Sequence, residues 1–241
     1  MENNETQLNA DLIEQEPRKH RFPPHRYSYG KQKETLELEA FNKMLEKVDC
    51  INLGKYAPSL VKSFLAILFW TGLRKTEVHG AKPHRYILAP CKTHSEPIVK
   101  TTEAVKGILK EDIKEQGDSL FVKAIARKHG KRDEPLELWL GLPHVNLIKQ
   151  QWLNTKPGER VFPLDEWDSW NIMKQIDKRK YLHFFRLNRI TELCNDPEMS
   201  IVEICSWTGL TVSTIESYMA RSKRFIHSTA EKMRKRYGSS A

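Results

Sequence analysis

Apolar residues recur at Val61, Phe64, Leu65, Leu68 and Phe69, the spacing of a helix that buries one stripe. The stripe runs into Thr71-Gly72, where glycine lets the backbone turn tightly. Upstream, Leu36, Leu38, Phe41, Met44 and Leu45 fall on one side of a helix over 35–48. Periodicity then fails over 80–105, a stretch rich in Pro, Lys, His and Thr that predicts an irregular insertion. Residues 119–126 and 134–139 predict two strands, with Lys128-His129-Gly130-Lys131 as the turn between them. A helix over 143–153 follows, then a turn at Gly158 before Val161-Phe162-Pro163, and a helix over 165–178. Three short helices close the pattern, at about 182–194, at about 201–207, and one beginning after Ser213. Ser200 with Glu203, and Ser213 with Glu216, have the spacing of capping boxes for the last two. The expected class is mainly α with a small antiparallel β-sheet (α+β), and no internal repeat is evident.

At 241 residues the chain can bury one core, or a core and a small appendage. Residues 1–34 lack apolar periodicity and contain Pro17, Pro23 and Pro24, so they predict a flexible arm ahead of a folded domain over 35–241. The formal net charge of +9 favours a polyanionic partner, and its distribution says more. The arm is acidic up to residue 17 and then carries Arg18, Lys19, Arg21 and Arg26. The C-terminal tail carries Arg221, Lys223 and Arg224. These seven cations are the candidate contacts to such a partner, which the resemblance described below implies is double-stranded DNA. Cys50, Cys91, Cys194 and Cys205 are scattered, which fits a reducing compartment. Cys91 and His94, even with His79 and His84, match no zinc spacing and are read as loop residues, so no metal is expected. The longest apolar run, 64–70, is too short to span a bilayer, and no signal peptide opens the chain. A cytoplasmic, nucleoid-associated protein is the expectation.

The chemistry-bearing residues occur in the order Arg74, Lys128, His183, Arg186, Tyr218. Attack on a phosphodiester adds negative charge to the two non-bridging oxygens, and guanidinium groups suit that charge because each donates paired hydrogen bonds. His183 and Arg186 stand three apart and share one helix face. A phenol with a pKa of about 10 needs a base or a strongly positive site to act as a nucleophile at neutral pH. His183 and the two arginines offer both to Tyr218. Lys128, with Lys131 as its competitor, sits at the predicted hairpin tip.

Thr71-Gly72-Leu73-Arg74, His183-Phe184-Phe185-Arg186 and Ser213 to Tyr218 resemble, in this order, the motifs of the tyrosine recombinase (phage integrase) family over residues 36–225. Glu77 matches the acidic residue that usually follows the first arginine, and Leu109-Lys110-Glu111-Asp112-Ile113 resembles the family's approach to its hairpin. The resemblance implies strand cleavage through a 3′-phosphotyrosyl link without metal, ATP or other cofactor. It makes Tyr218 the nucleophile, Arg74 and Arg186 the phosphate clamp, His183 the proton carrier and Lys128 the general acid. It also implies a monomer in solution that forms a homo-tetramer on paired DNA sites. Three features depart from the family pattern. Gly209 stands where a His or Trp usually precedes the tyrosine, with Trp207 two residues earlier. The stretch from Arg74 to Asp112 is long, and residues 1–34 are too few to form the family's core-binding domain.

Residues 200–221 also fit a helix-turn-helix with Gly209 at the turn, which would make the protein a regulator without chemistry. That reading leaves Arg74, His183, Arg186 and the lysine hairpin without a purpose. A third reading, prompted by Gly209, keeps the recombinase fold and DNA binding but loses cleavage.

Overall fold

The computed structural model describes residues 36–88, 98–102, 104–124 and 134–219. The chain divides into two compact units. The described part of the smaller unit is an antiparallel hairpin, β1 (His84–Leu88) with β2 (Ile98–Thr102), in which His84 pairs with Thr102 and Leu88 with Ile98. Residues 80–105 are therefore not simply irregular. Their apolar residues are grouped at one end, Tyr86-Ile87-Leu88 against Ile98-Val99, and leave no alternation for a periodicity reading to find.

The larger unit is mainly helical. Helix α1 (Leu38–Val48) buries Phe41, Met44, Leu45 and Val48 along one side. Helix α2 (Pro58–Thr71) starts with Pro58 at its first helical positions, where a missing N–H leaves no intrahelical bond unmade. The predicted stripe of α2 is buried, but so are Ser63, Ala66 and Ile67. The helix is covered all round because α1 and three later helices pack on it. Phe41 stacks on Phe69 at 4.1 Å between ring centres and meets Phe185 edge-on at 6.0 Å.

The short helix α3 (Lys75–His79) follows α2 directly. A three-stranded antiparallel sheet comes next, with β3 (Ile113–Gln116), β4 (Ser119–Val122) and β5 (Leu136–Trp139) in that order. Leu120 opposes Leu138 and Val122 opposes Leu136, and all four are buried. The turn expected to hold Lys128 and Lys131 lies outside the described residues.

Helices α4 (Val145–Asn154), α5 (Glu166–Ile176), α6 (His183–Asn195), α7 (Ile201–Thr208) and α8 (Val212–Met219) complete the unit. Ser200 and Glu203 form the predicted capping box of α7, with Glu203 N donating to Ser200 Oγ at 3.2 Å. The box predicted at Ser213 does not start α8. The helix begins one residue earlier, and Ile215 N donates to Thr211 O at 3.1 Å.

Two apolar clusters result. The larger joins α1, α2, the sheet, α4, α5 and Phe185 of α6. The smaller contains Ile190, Cys194, Ile204 and Ile215, and so ties α7 and α8 to the far end of α6. Among the described residues no helix is long and apolar enough to cross a membrane.

Candidate active site

The last turn of α2 closes through its own side chains. Thr71 Oγ1 donates to Ile67 O at 2.5 Å and accepts from Leu73 N at 3.2 Å, while Gly72 N donates to Leu68 O at 3.0 Å. Gly72 is left-handed (φ 64°), and a Cβ placed on it would lie 2.9 Å from Arg189 Cβ. Only glycine meets both conditions without strain. The turn delivers Arg74 to the start of α3, where Glu77 holds it twice. Arg74 N donates to Glu77 Oε2 at 2.8 Å and Arg74 Nη1 to Glu77 Oε1 at 2.7 Å. The Glu77 side chain is 1% exposed and that of Arg74 22%, so the carboxylate is buried support and the guanidinium reaches toward solvent.

The same four residues recur at the end of α7. Trp70-Thr71-Gly72-Leu73 is matched by Trp207-Thr208-Gly209-Leu210, a repetition that the reading of the sequence missed. The local structure repeats as well. Thr208 Oγ1 donates to Ile204 O at 2.6 Å and accepts from Leu210 N at 3.3 Å. Gly209 N donates to Cys205 O at 2.8 Å, with φ 62°.

Arg186 lies between these two caps. Its Nη1 donates to Gly72 O and its Nη2 to Thr208 O, each at 2.9 Å. The residue is 2% exposed. Carbonyls at a helix C-terminus lack intrahelical donors and carry the negative end of the helix dipole, so a cation shared by two such ends is favoured. Three segments distant in sequence thus meet at one guanidinium: the turn into Arg74, the first turn of α6, and the turn into α8.

His183 opens α6 one turn before Arg186 and is exposed, its ring stacked on Tyr181 at 6.4 Å. Tyr218, near the end of α8, is half-buried and packs against the smaller apolar cluster. Trp207 Nε1 donates to Thr71 O at 3.2 Å. Gly209 has a backbone task, the left-handed cap, and carries no donor to replace a His or Trp. Lys128, Lys131, Arg18, Lys19, Arg21, Arg26, Arg221, Lys223 and Arg224 lie outside the described residues, as do Cys91 and His94. His79, weighed above as a conceivable ligand, is buried against Phe64 with Nδ1 2.5 Å from Gly80 O. Burial lowers its pKa.

Arg189 also went unnoticed in the sequence. It is buried one turn beyond Arg186, with its guanidinium 5.1 Å from the centre of Trp70 and 3.0 Å from Glu192 Oε2. The spacing His183, Arg186, Arg189 was its only signal.

No family model and no curated protein matches the chain. Solved structures do match. Two of them are XerH site-specific recombinase bound to palindromic difH substrate, a post-cleavage complex, and the same recombinase bound to difH substrate, a pre-cleavage complex. Each gives a TM-score of 0.51 at 14% identity, covering 83% of this chain and 53% of the XerH chain. The mainly helical fold with its small antiparallel sheet resembles that of the matched part of the XerH chains. At this identity the likeness is one of fold alone, and the chain spans about half the length of the XerH chains it matches.

Proposed function

We propose that the protein is a site-specific DNA recombinase or integrase that cuts and rejoins DNA through a 3′-phosphotyrosyl intermediate. The observation that carries this reading is Arg186 donating to Gly72 O and Thr208 O, which links the turn bearing Arg74 to the turn that leads into Tyr218. In the proposed reaction Tyr218 Oη attacks phosphorus and His183 takes its proton. The bond to the 5′ oxygen breaks, and Lys128 protonates that oxygen. Arg74 and Arg186 bear the charge that develops on the non-bridging oxygens. The phosphotyrosine keeps the phosphodiester's energy, so attack by a 5′ hydroxyl reverses the step and no cofactor is consumed. XerH is described bound to its difH substrate before and after cleavage, which supports assigning double-stranded DNA as the partner here. A homo-tetramer assembled on paired sites from monomers belongs to the same proposal, as does a cytoplasmic, nucleoid-associated location. So do phosphate contacts from the cations of the arm, residues 1–34, and of the tail.

A cleavage-deficient DNA-binding member of the same fold is the second reading. Gly209 favours it, because it offers no side-chain donor, and Trp207 directs its N–H to Thr71 O. The regulator reading has less support. The second helix of the apparent helix-turn-helix, α8, contains no Lys or Arg, and Glu216 is exposed on it. A recognition helix normally carries cations or amides toward the groove.

The test is covalent trapping on a nicked suicide substrate, built from DNA that flanks the gene, in buffer containing chelator. Wild type should give a denaturation-resistant adduct, and Tyr218→Phe should give none while still binding. Tight binding without an adduct in wild type would decide for the non-cutting reading.

A further inference from the structure

We infer that Trp207 is a positioning residue. It latches the α7–α8 pair, which bears Tyr218, onto the end of α2 that delivers Arg74, and it is not a donor to the phosphate. The role in cleavage rests on the function proposed above, whereas the latch itself does not.

The two helix caps close in the same way. Thr71 and Thr208 each satisfy the carbonyl four residues back, and Gly72 and Gly209 each satisfy the next one. At the α2 end the carbonyls of Thr71 and Gly72 lie beyond these bonds. Trp207 takes the first and Arg186 the second. At the α7 end Arg186 also takes Thr208 O. The two turns are therefore joined by a pair of neighbouring links, one through Arg186 and one directly from Trp207.

Packing distinguishes Trp207 further. Ile201, Ile204 and Cys205 of α7 belong to the smaller apolar cluster, with Tyr218. Alone among the apolar side chains of α7, Trp207 packs against the larger one. Its ring thus ties α7, whose other buried side chains pack with Tyr218, to the core that fixes Arg74. The two matching tryptophans have diverged in task. Trp70 Nε1 donates to Pro143 O at 2.7 Å at an exposed position, while Trp207 Nε1 crosses to the other cap. An indole N–H is a single donor, so one spent on Thr71 O is not also aimed at a phosphate oxygen.

The informative variant replaces Trp207 by benzothienylalanine, which keeps the ring's shape and exchanges the N–H for sulfur. It can be made in the full chain by joining residues 1–204 to a synthetic 205–241 peptide at Cys205. Trp207→Phe serves as a second, recombinant variant. Two measurements are compared with wild type: amide hydrogen exchange of 212–219 without DNA, and adduct formation and affinity on the suicide substrate. The latch predicts about fivefold faster exchange in α8, the worth of one hydrogen bond, with α2 and the first half of α6 unchanged. Adduct formation should slow by a similar factor at unchanged affinity. Slower adduct formation with unchanged α8 exchange would make Trp207 a phosphate donor and overturn the inference. Faster exchange throughout α2 and α6, with affinity falling too, would reduce it to general core packing and also overturn it. Selective α8 loosening beside a wild type that forms no adduct would uphold the latch and sink the proposed chemistry.

Discussion

Arg186 Nη2 reaches Thr208 O at 2.9 Å across 22 residues of sequence, and Arg186 Nη1 reaches Gly72 O at the same distance. A proposed catalytic cation is thus also the tie between two helix ends. Its two roles make different predictions about what its loss does.

Arg186→Ala should abolish adduct formation and also unfold more easily, because two buried carbonyls lose a charged donor. The cost should be about 2–6 kcal/mol, at roughly 1–3 kcal/mol for each unsatisfied group. Arg186→Lys should recover only part of it, since one ammonium cannot span both carbonyls in the geometry of a guanidinium. Urea unfolding of both variants beside Tyr218→Phe checks this, with Tyr218→Phe expected to lose little. Equal midpoints for all three would mean that the tie contributes nothing to stability.

Gly72→Ala should destabilise by about 2–4 kcal/mol, combining roughly 1–2 kcal/mol for a left-handed residue with the cost of crowding Arg189. Gly54 isolates the first part. It has φ 61° and nothing within 4 Å of an added Cβ. Gly54→Ala should therefore cost about 1–2 kcal/mol. Unfolding midpoints that rank the two glycines the other way round would contradict the close approach of α6 to the α2 cap.

These contrasts indicate which parts of the molecule a sequence can disclose. The turn ahead of Arg74 was legible because Thr-Gly follows an apolar helix, and cap chemistry is local. The helices from α4 to α7 were legible because their apolar spacing or capping boxes are local too. Strand β3 was not, since Ile113 is its one buried residue and Lys114, Glu115 and Gln116 are exposed. One apolar position makes no alternation. The hairpin β1–β2 and the five-residue α3 were missed for the same lack of pattern. The recurrence of Trp-Thr-Gly-Leu stood in plain view but was too short to register as a repeat. Its meaning lies in Arg186 joining the two copies, which is a tertiary fact.

Glu77→Gln should leave the fold nearly intact while slowing adduct formation by about 10- to 100-fold, the equivalent of one charge-assisted bond. Glu77 accepts from Arg74 N with one oxygen and from Arg74 Nη1 with the other. A carboxamide can serve only one of them, and its NH2 then faces a donor. Single-turnover cleavage with affinity measured in parallel would separate this from weaker DNA binding. An unchanged cleavage rate would mean that Arg74 does not depend on Glu77 for its aim.

His79 should make stability depend on pH. The imidazole is buried, and desolvation is the largest influence on it and lowers its pKa. Its bond to Gly80 O opposes that shift, Lys75 adds to it, and Glu166 and Asp165 oppose it. The folded protein therefore binds this proton less readily than the unfolded chain, whose histidine titrates near about 6.5. Above that pH both states are neutral and His79 contributes its full stability. As pH falls through that value toward the lower folded pKa, the unfolded chain takes up the proton first, and stability drops until the folded histidine is protonated too. His144, whose pKa burial also lowers, acts in the same direction, so part of the effect should survive loss of His79. Wild type should accordingly show a falling urea midpoint between pH 7.5 and 5.5, and His79→Phe a shallower fall. Identical slopes would mean that the His79 ring is reached by water and does not sit where burial against Phe64 places it. The outcome bears on the site because His79 ends α3, the helix whose first turn holds Arg74 against Glu77.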